Sequence, residues 1–128
     1  MIFWKDKKNK LIKPDLFSTD AENLAKKVSE EGTKTCNKRS QIRKFYDEVL
    51  NFSIRVGKDP AEFEKMLPYL KMLNAKAAYA KGRGLISDSF KNFISNSLQQ
   101  VNDKDDFEVF VGLFEAFMGY YRLYRPSE

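Results

Sequence analysis

The chain has 128 residues, 42% of them hydrophobic and 32% charged, which is enough apolar material for one buried core and enough charge to keep it soluble. It carries 23 Lys/Arg against 18 Asp/Glu, one Cys and no His. These totals exclude internal disulfides, cysteine-rich zinc sites and any His-based catalysis, and they leave Cys36 with no His to activate it. The charge is unevenly spread: residues 1–58 hold 14 basic against 8 acidic side chains, whereas residues 85–128 hold 4 against 7. A basic first two-thirds points to a polyanionic partner on one side of the molecule.

Met1–Lys13 has two short apolar patches around a polar turn at Asp6–Lys10. It reads as a small hairpin or an extended arm, with Trp4 docked on the body or on a neighbour. Met1–Trp4 is too short an apolar run for a secretory signal and lysines follow it, so a reduced, cytoplasmic protein is expected. Pro14 marks a break; residues 1–18 are read as an N-terminal arm and 19–125 as a helical domain.

The first helix is expected over Thr19–Glu31, with Thr19 and Glu22 as a capping box and Gly32 as its end. Its apolar stripe is thin, which places it at the periphery. Thr33–Lys38 reads as a polar linker. Ser40 then caps a second helix over Gln41–Val56, closed by Gly57, with Ile42, Phe45, Tyr46, Val49 and Leu50 facing inward. Arg39 and Arg43 fall one helical turn apart, a like-charge arrangement that costs a few tenths of a kcal/mol unless something anionic offsets it. Arg43–Asp47 and Lys44–Glu48 have the spacing of ion pairs, so an ordinary solvated face is the competing explanation.

Asp59-Pro60-Ala61-Glu62 is a strong helix start. Pro68 is expected to end or kink that third helix, with a fourth piece over Tyr69–Ala80. Lys81-Gly82-Arg83-Gly84 brackets a cation with two glycines, so backbone could approach a phosphate while Arg83 reaches it and Lys76 faces the same side. The same pattern also serves as an ordinary helix C-cap, and it lacks the spacing of a nucleotide P-loop. Ser87 or Asp88 opens a fifth helix reaching Gln100. Asp103, Asp105 and Asp106 cluster at the next helix start, where acids are favoured; without further ligands and a Gly at the bend, no metal loop is expected.

The final run, Phe107–Tyr124, is apolar on nearly every side, the mark of a helix buried in a core or between chains. Gly112, Ala116 and Gly119 leave a strip of small residues that another helix could approach closely. Glu108, Glu115 and Arg122 and the short length argue against a membrane span, which needs about 20 mostly apolar residues. The fold expected is all-α, a compact single-domain bundle of five to six short helices. No residue set supports catalysis, and neither cofactor nor metal is expected. Recognition of a nucleic-acid backbone fits the cations best. A helical homo-oligomeric interaction protein and a DNA-binding regulator are the alternatives.

Three stretches, taken in order, carry a resemblance: Ser40-Gln41-Ile42-Arg43-Lys44-Phe45-Tyr46; Leu73-Asn74-Ala75-Lys76-Ala77-Ala78-Tyr79 with Arg83; and Phe110-Val111-Gly112-Leu113-Phe114-Glu115-Ala116 with Tyr120-Tyr121. Together they resemble the small helical subunit of the type III-A CRISPR effector, the Csm complex, over residues 38–124. One departure is Asn74-Ala75, where the pattern has a Pro before the Lys. The resemblance implies a non-catalytic subunit of an RNA-guided complex in antiviral defence. It would stack in several copies beside the subunits holding the guide, with self-association along the complex and a homodimer as an option when isolated. Its partners would be guide and target RNA and the other Csm subunits, with no membrane. The family's basic positions carry over onto Arg43, Lys76 and Arg83, and also onto Arg39 and Lys44, as RNA-binding residues.

Overall fold

The apolar run near the chain's end becomes α6 (Lys104–Tyr124), and the other elements pack around it. The computed structural model describes residues 1–128. A hairpin, β1 (Trp4–Asp6) with β2 (Leu11–Ile12), leads into a π-helical turn at Leu16–Asp20. The helices α1 (Ala21–Glu30), α2 (Arg39–Val56), α3 (Pro60–Lys71), α4 (Leu73–Gly82) and α5 (Asp88–Gln100) follow before α6.

Helical spacing brings Phe107, Phe110, Phe114, Phe117 and Tyr121 of α6 into the core. Their rings meet Phe90 and Phe93 of α5, with centroids 5.2 Å apart for Phe93–Phe114 and 5.9 Å for Phe90–Phe117. From α2, Phe45 lies edge-on to Phe90 at 5.5 Å and Tyr46 meets Phe114 at 5.3 Å. Each such pair contributes roughly 0.5–1.5 kcal/mol beyond area burial. This aromatic cluster is what holds α2, and so its charged outer face, at a fixed angle to α5 and α6.

Several expectations are corrected. The first helix is not peripheral: Ala21, Ala25 and Val28 are fully buried, and α1 packs along α6. Two alanines on that stripe let the helix axes approach closely, so thinness reflects proximity rather than exposure. Thr19 is not a cap, because the chain is already coiled in the π-helical turn, and Asp20 before α1 makes no side-chain cap bond. Gly112 does not await another helix; the Phe17 ring of that turn covers it. Pro68 does not end α3, which runs on to Lys71. Pro68 and Glu64, whose carbonyl loses its donor, are both exposed residues, on the side of the helix where a missing bond costs least. The break falls instead at Met72.

The Thr33–Lys38 segment is clamped rather than a free linker. Asn37 is fully buried in the left-handed conformation, φ 61°. Its amide donates to Val28 O at 2.9 Å and Ser87 Oγ at 2.8 Å, and its Oδ1 accepts from Ser87 N at 2.9 Å. The Tyr121 hydroxyl donates to its carbonyl at 2.5 Å. One residue thus ties α1, the start of α5 and the end of α6 together.

At the opposite end, the hairpin is stapled to α6. Asp103 and Asp106 form a reciprocal capping box, Asp106 N to Asp103 Oδ1 being 2.9 Å. Asp106 is 2% exposed and also accepts from Trp4 Nε1 at 2.8 Å, Asn102 N at 3.0 Å and Lys7 Nζ. Burial pushes its carboxyl pKa up, but the Asn102 backbone N–H, Lys7 and Trp4 outweigh burial and hold it below the usual carboxylate range. Asp105 pairs loosely with Lys10, so all three clustered aspartates serve the cap and the hairpin.

Candidate nucleic-acid interface

Burial of Ile42, Phe45 and Val49 fixes which way α2 faces. Consecutive helical residues point about 100° apart. Arg39, Arg43 and Tyr46 therefore fall on the flank toward α6, and Gln41, Lys44 and Glu48 on the flank toward α4. The five sequence-identified cations do not converge on one spot; they are brought into two hollows on either side of α2.

The larger hollow, about 520 Å³, lies between α2 and the second half of α6 and holds Arg39, Arg43, Arg122 and Tyr46, with Glu115 across from them. Arg39 and Arg43 share its wall, as their spacing requires. Arg43 Nε lies 3.7 Å from Asp47, with both side chains more than half exposed. The Nε atom of Arg39 is enclosed and has no hydrogen-bond partner. Ser40 is not the expected cap, since α2 already begins at Arg39. Its N–H and hydroxyl instead donate to the Glu128 carboxylate at 3.1 and 2.7 Å. These donors, the hydroxyl first, hold the Glu128 carboxyl below its ordinary range.

The smaller hollow, about 290 Å³, lies between α2 and α4 and holds Lys44, Lys76 and Arg83 together with Tyr79 and Glu48. Leu73, Ala77 and Ala80 bury the inner face of α4, which turns Lys76 and Tyr79 toward this hollow. Gly84, at φ 74°, takes the chain sharply off the helix just after Arg83. The Arg83 guanidinium lies 5.8 Å from the Tyr79 ring centroid, and Tyr79 is 68% exposed. Lys44 does not pair with Glu48 as its spacing allows; Glu48 is taken by Lys76 from the neighbouring helix. That pair is on the surface, 52% and 36% exposed, and such pairs contribute only about 0.2–1 kcal/mol, so a phosphate can displace the carboxylate. Lys44 and Arg83 make no ion pair.

Two contributors escaped notice as site residues. Arg122 is visible in the sequence as a break in an apolar helix, but nothing local says that it joins Arg39 and Arg43. Tyr79 follows an alanine run, and only the burial of Ala77 and Ala80 shows that it points out.

This fold and its two cation-lined hollows define a small all-α protein with a basic, polar surface around α2. A family model, Csm2 Type III-A, matches residues 12–127, and the chain belongs to that family of small subunits of the type III-A CRISPR complex. Neither the curated proteins nor the solved structures yield a match. The family match begins well ahead of residues 38–124, taking in α1 and the Asn37 clamp. That extent accords with α1 being integral to the core. No helix is long and apolar enough to cross a membrane.

Proposed function

We propose that this chain is a non-catalytic small subunit that stacks along a type III-A interference complex in the cytoplasm and holds guide and target RNA by their backbones. Arg39, Arg43, Lys44, Lys76 and Arg83 are the contacting cations. In RNA-guided recognition, base pairing reads sequence and protein holds the duplex by its backbone. The single observation that carries this reading is the hollow between α2 and α4, where Lys44, Lys76 and, just after α4, Arg83 share a lining with an exposed aromatic ring. Charge with an aromatic face is the usual equipment for gripping nucleic-acid strands without sequence preference. Membership of the family places the chain among other Csm subunits. Ile54, Tyr69 and Met72, all more than half exposed along α2, α3 and the α3–α4 break, offer apolar surface for neighbouring copies.

The test is charge reversal. Lys76→Glu/Arg83→Glu leaves folding intact, since both side chains are exposed, and weakens capture of target RNA by the assembled complex. Unchanged capture in a complex that still contains the variant subunit would refute these contacts.

A further inference from the structure

A third hollow, about 400 Å³, lies on the other side of α4, between it and α5. Its walls carry Lys71, Asn74, Lys91, Ser95 and Gln99, and none of the residues lining it is acidic. Both hollows beside α2 contain a carboxylate; this one has two lysines and nothing to neutralise them. Neither lysine makes an ion pair, and each is half-buried where it lines the groove. The Asn74 and Gln99 side chains make no hydrogen bond within the chain, so their donors are free as well. Two cations without an ion-pair partner, lining one groove with amide and hydroxyl donors, make a site suited to an anion.

The ridge separating this groove from the Lys44–Lys76–Arg83 hollow is low. It is formed by Ala75 and Ala78, both exposed, and by Gly82, where even an added Cβ would meet nothing within 4 Å. At Ala75 and Ala78 only a methyl group, and at Gly82 nothing, stands above the backbone cylinder, whose Cα radius is about 2.3 Å. This low ridge is the shortest way over α4 between two hollows that each carry cations.

We infer that a single-stranded RNA backbone crosses α4 at Ala75–Ala78, leaving the hollow beside α2 and seating further phosphates on Lys71 and Lys91. This rests on the reading of the α2 surface as RNA-binding and extends it by a separate site. The RNA is held as a charged strand, with Asn74, Ser95 and Gln99 donating to phosphate oxygens.

The test compares the full chain with Lys71→Ala/Lys91→Ala and with a charge-matched control, Lys5→Ala/Lys8→Ala, in retention of a single-stranded RNA oligonucleotide across a salt series. Each phosphate contact on a single strand adds about 0.7 to the logarithmic salt slope, so losing two lowers it by about 1.4. Between about 50 and 200 mM salt, the wild type then loses about sevenfold more affinity than the variant, while the control follows the wild type. Acetylation of lysines in the native protein gives a second readout independent of substitution: RNA protects Lys71 and Lys91 and leaves Lys5 and Lys8 reactive. If Lys76→Glu/Arg83→Glu abolishes retention but Lys71→Ala/Lys91→Ala behaves as the control does, the α4 crossing is wrong and the α2 reading stands. Protection that arises on assembly without RNA would assign the groove to an acidic neighbouring subunit and overturn the inference. An absence of salt-sensitive RNA retention by the wild type, free and assembled, would overturn both.

Discussion

Removal of the Asp106 carboxylate, as Asp106→Ala, is predicted to loosen one whole end of the molecule. The group is 2% exposed and accepts from Trp4 Nε1 at 2.8 Å and Asn102 N at 3.0 Å, besides pairing with Lys7 and closing the α6 capping box. Stranding a buried donor costs about 1–3 kcal/mol, and losing a helix cap about 1 kcal/mol. Lys7, at 44% exposure, regains water, so the total falls at the low end of the roughly 3–5 kcal/mol for a broken buried pair. A loss of about 3 kcal/mol corresponds to a fall of about 10 °C in Tm for a chain of this size. Because hydrogen bonds depress this carboxyl despite burial, the stabilisation is complete above its unfolded value near 3.9 and disappears as pH falls through the folded one. Urea melts of wild type and variant at about pH 7 and about pH 3, followed by circular dichroism and by the single Trp, read both effects. The difference should be large at neutral pH and shrink in acid. A difference below about 0.5 kcal/mol at pH 7, with Trp4 emission unchanged, would refute the stapling of the hairpin through this residue.

Two glycines in α6 should respond oppositely to alanine. At Gly112 the added Cβ would lie 2.9 Å from the Phe17 ring, so Gly112→Ala displaces that ring and lowers Tm, whereas Gly119 has nothing within 4 Å and Gly119→Ala gains about 0.5–1 kcal/mol of helix propensity. Thermal melts of the two variants check this directly. Asn37→Ala leaves the buried Val28 carbonyl without its donor and the Ser87 N–H without its acceptor, and it forces a residue with no local side-chain hydrogen bond to keep φ 61°; it should cost about 3 kcal/mol in urea melts, and Asn37→Gly, which relieves the backbone, visibly less.

How far the sequence could be read depended on whether the deciding contact was local. The period of Phe107–Tyr124 reports a buried helix directly, and Asp59-Pro60 reports a helix start, because the causes lie within a few residues. Thr19–Glu22 has the spacing of a capping box yet forms none, since the preceding turn is wound into the core by the burial of Leu16 and the seating of Phe17 on Gly112. Pro68 fails as a stop because it and Glu64, whose carbonyl loses its donor, lie on the exposed side of α3, which only tertiary placement reveals. Of the five cations, the Arg39–Arg43 pairing follows from helical spacing. Their separation from Lys44, Lys76 and Arg83 by the body of α2 depends on which face of that helix the phenylalanine cluster buries. Glu48 choosing Lys76 over Lys44 is likewise a contact between helices that no spacing rule contains. The groove with Lys71 and Lys91 brings together residues from the end of α3, from α4 and from α5, and nothing in any one helix alone points to it.

The most direct measurement is the salt dependence of target-RNA retention by the assembled complex, with wild-type subunit and with Arg43→Ala/Lys76→Ala/Arg83→Ala. The triple variant should assemble, bind RNA more weakly at low salt, and have a logarithmic slope shallower by about 2 for three phosphates released. Identical slopes and affinities from complexes shown to contain the variant would contradict it.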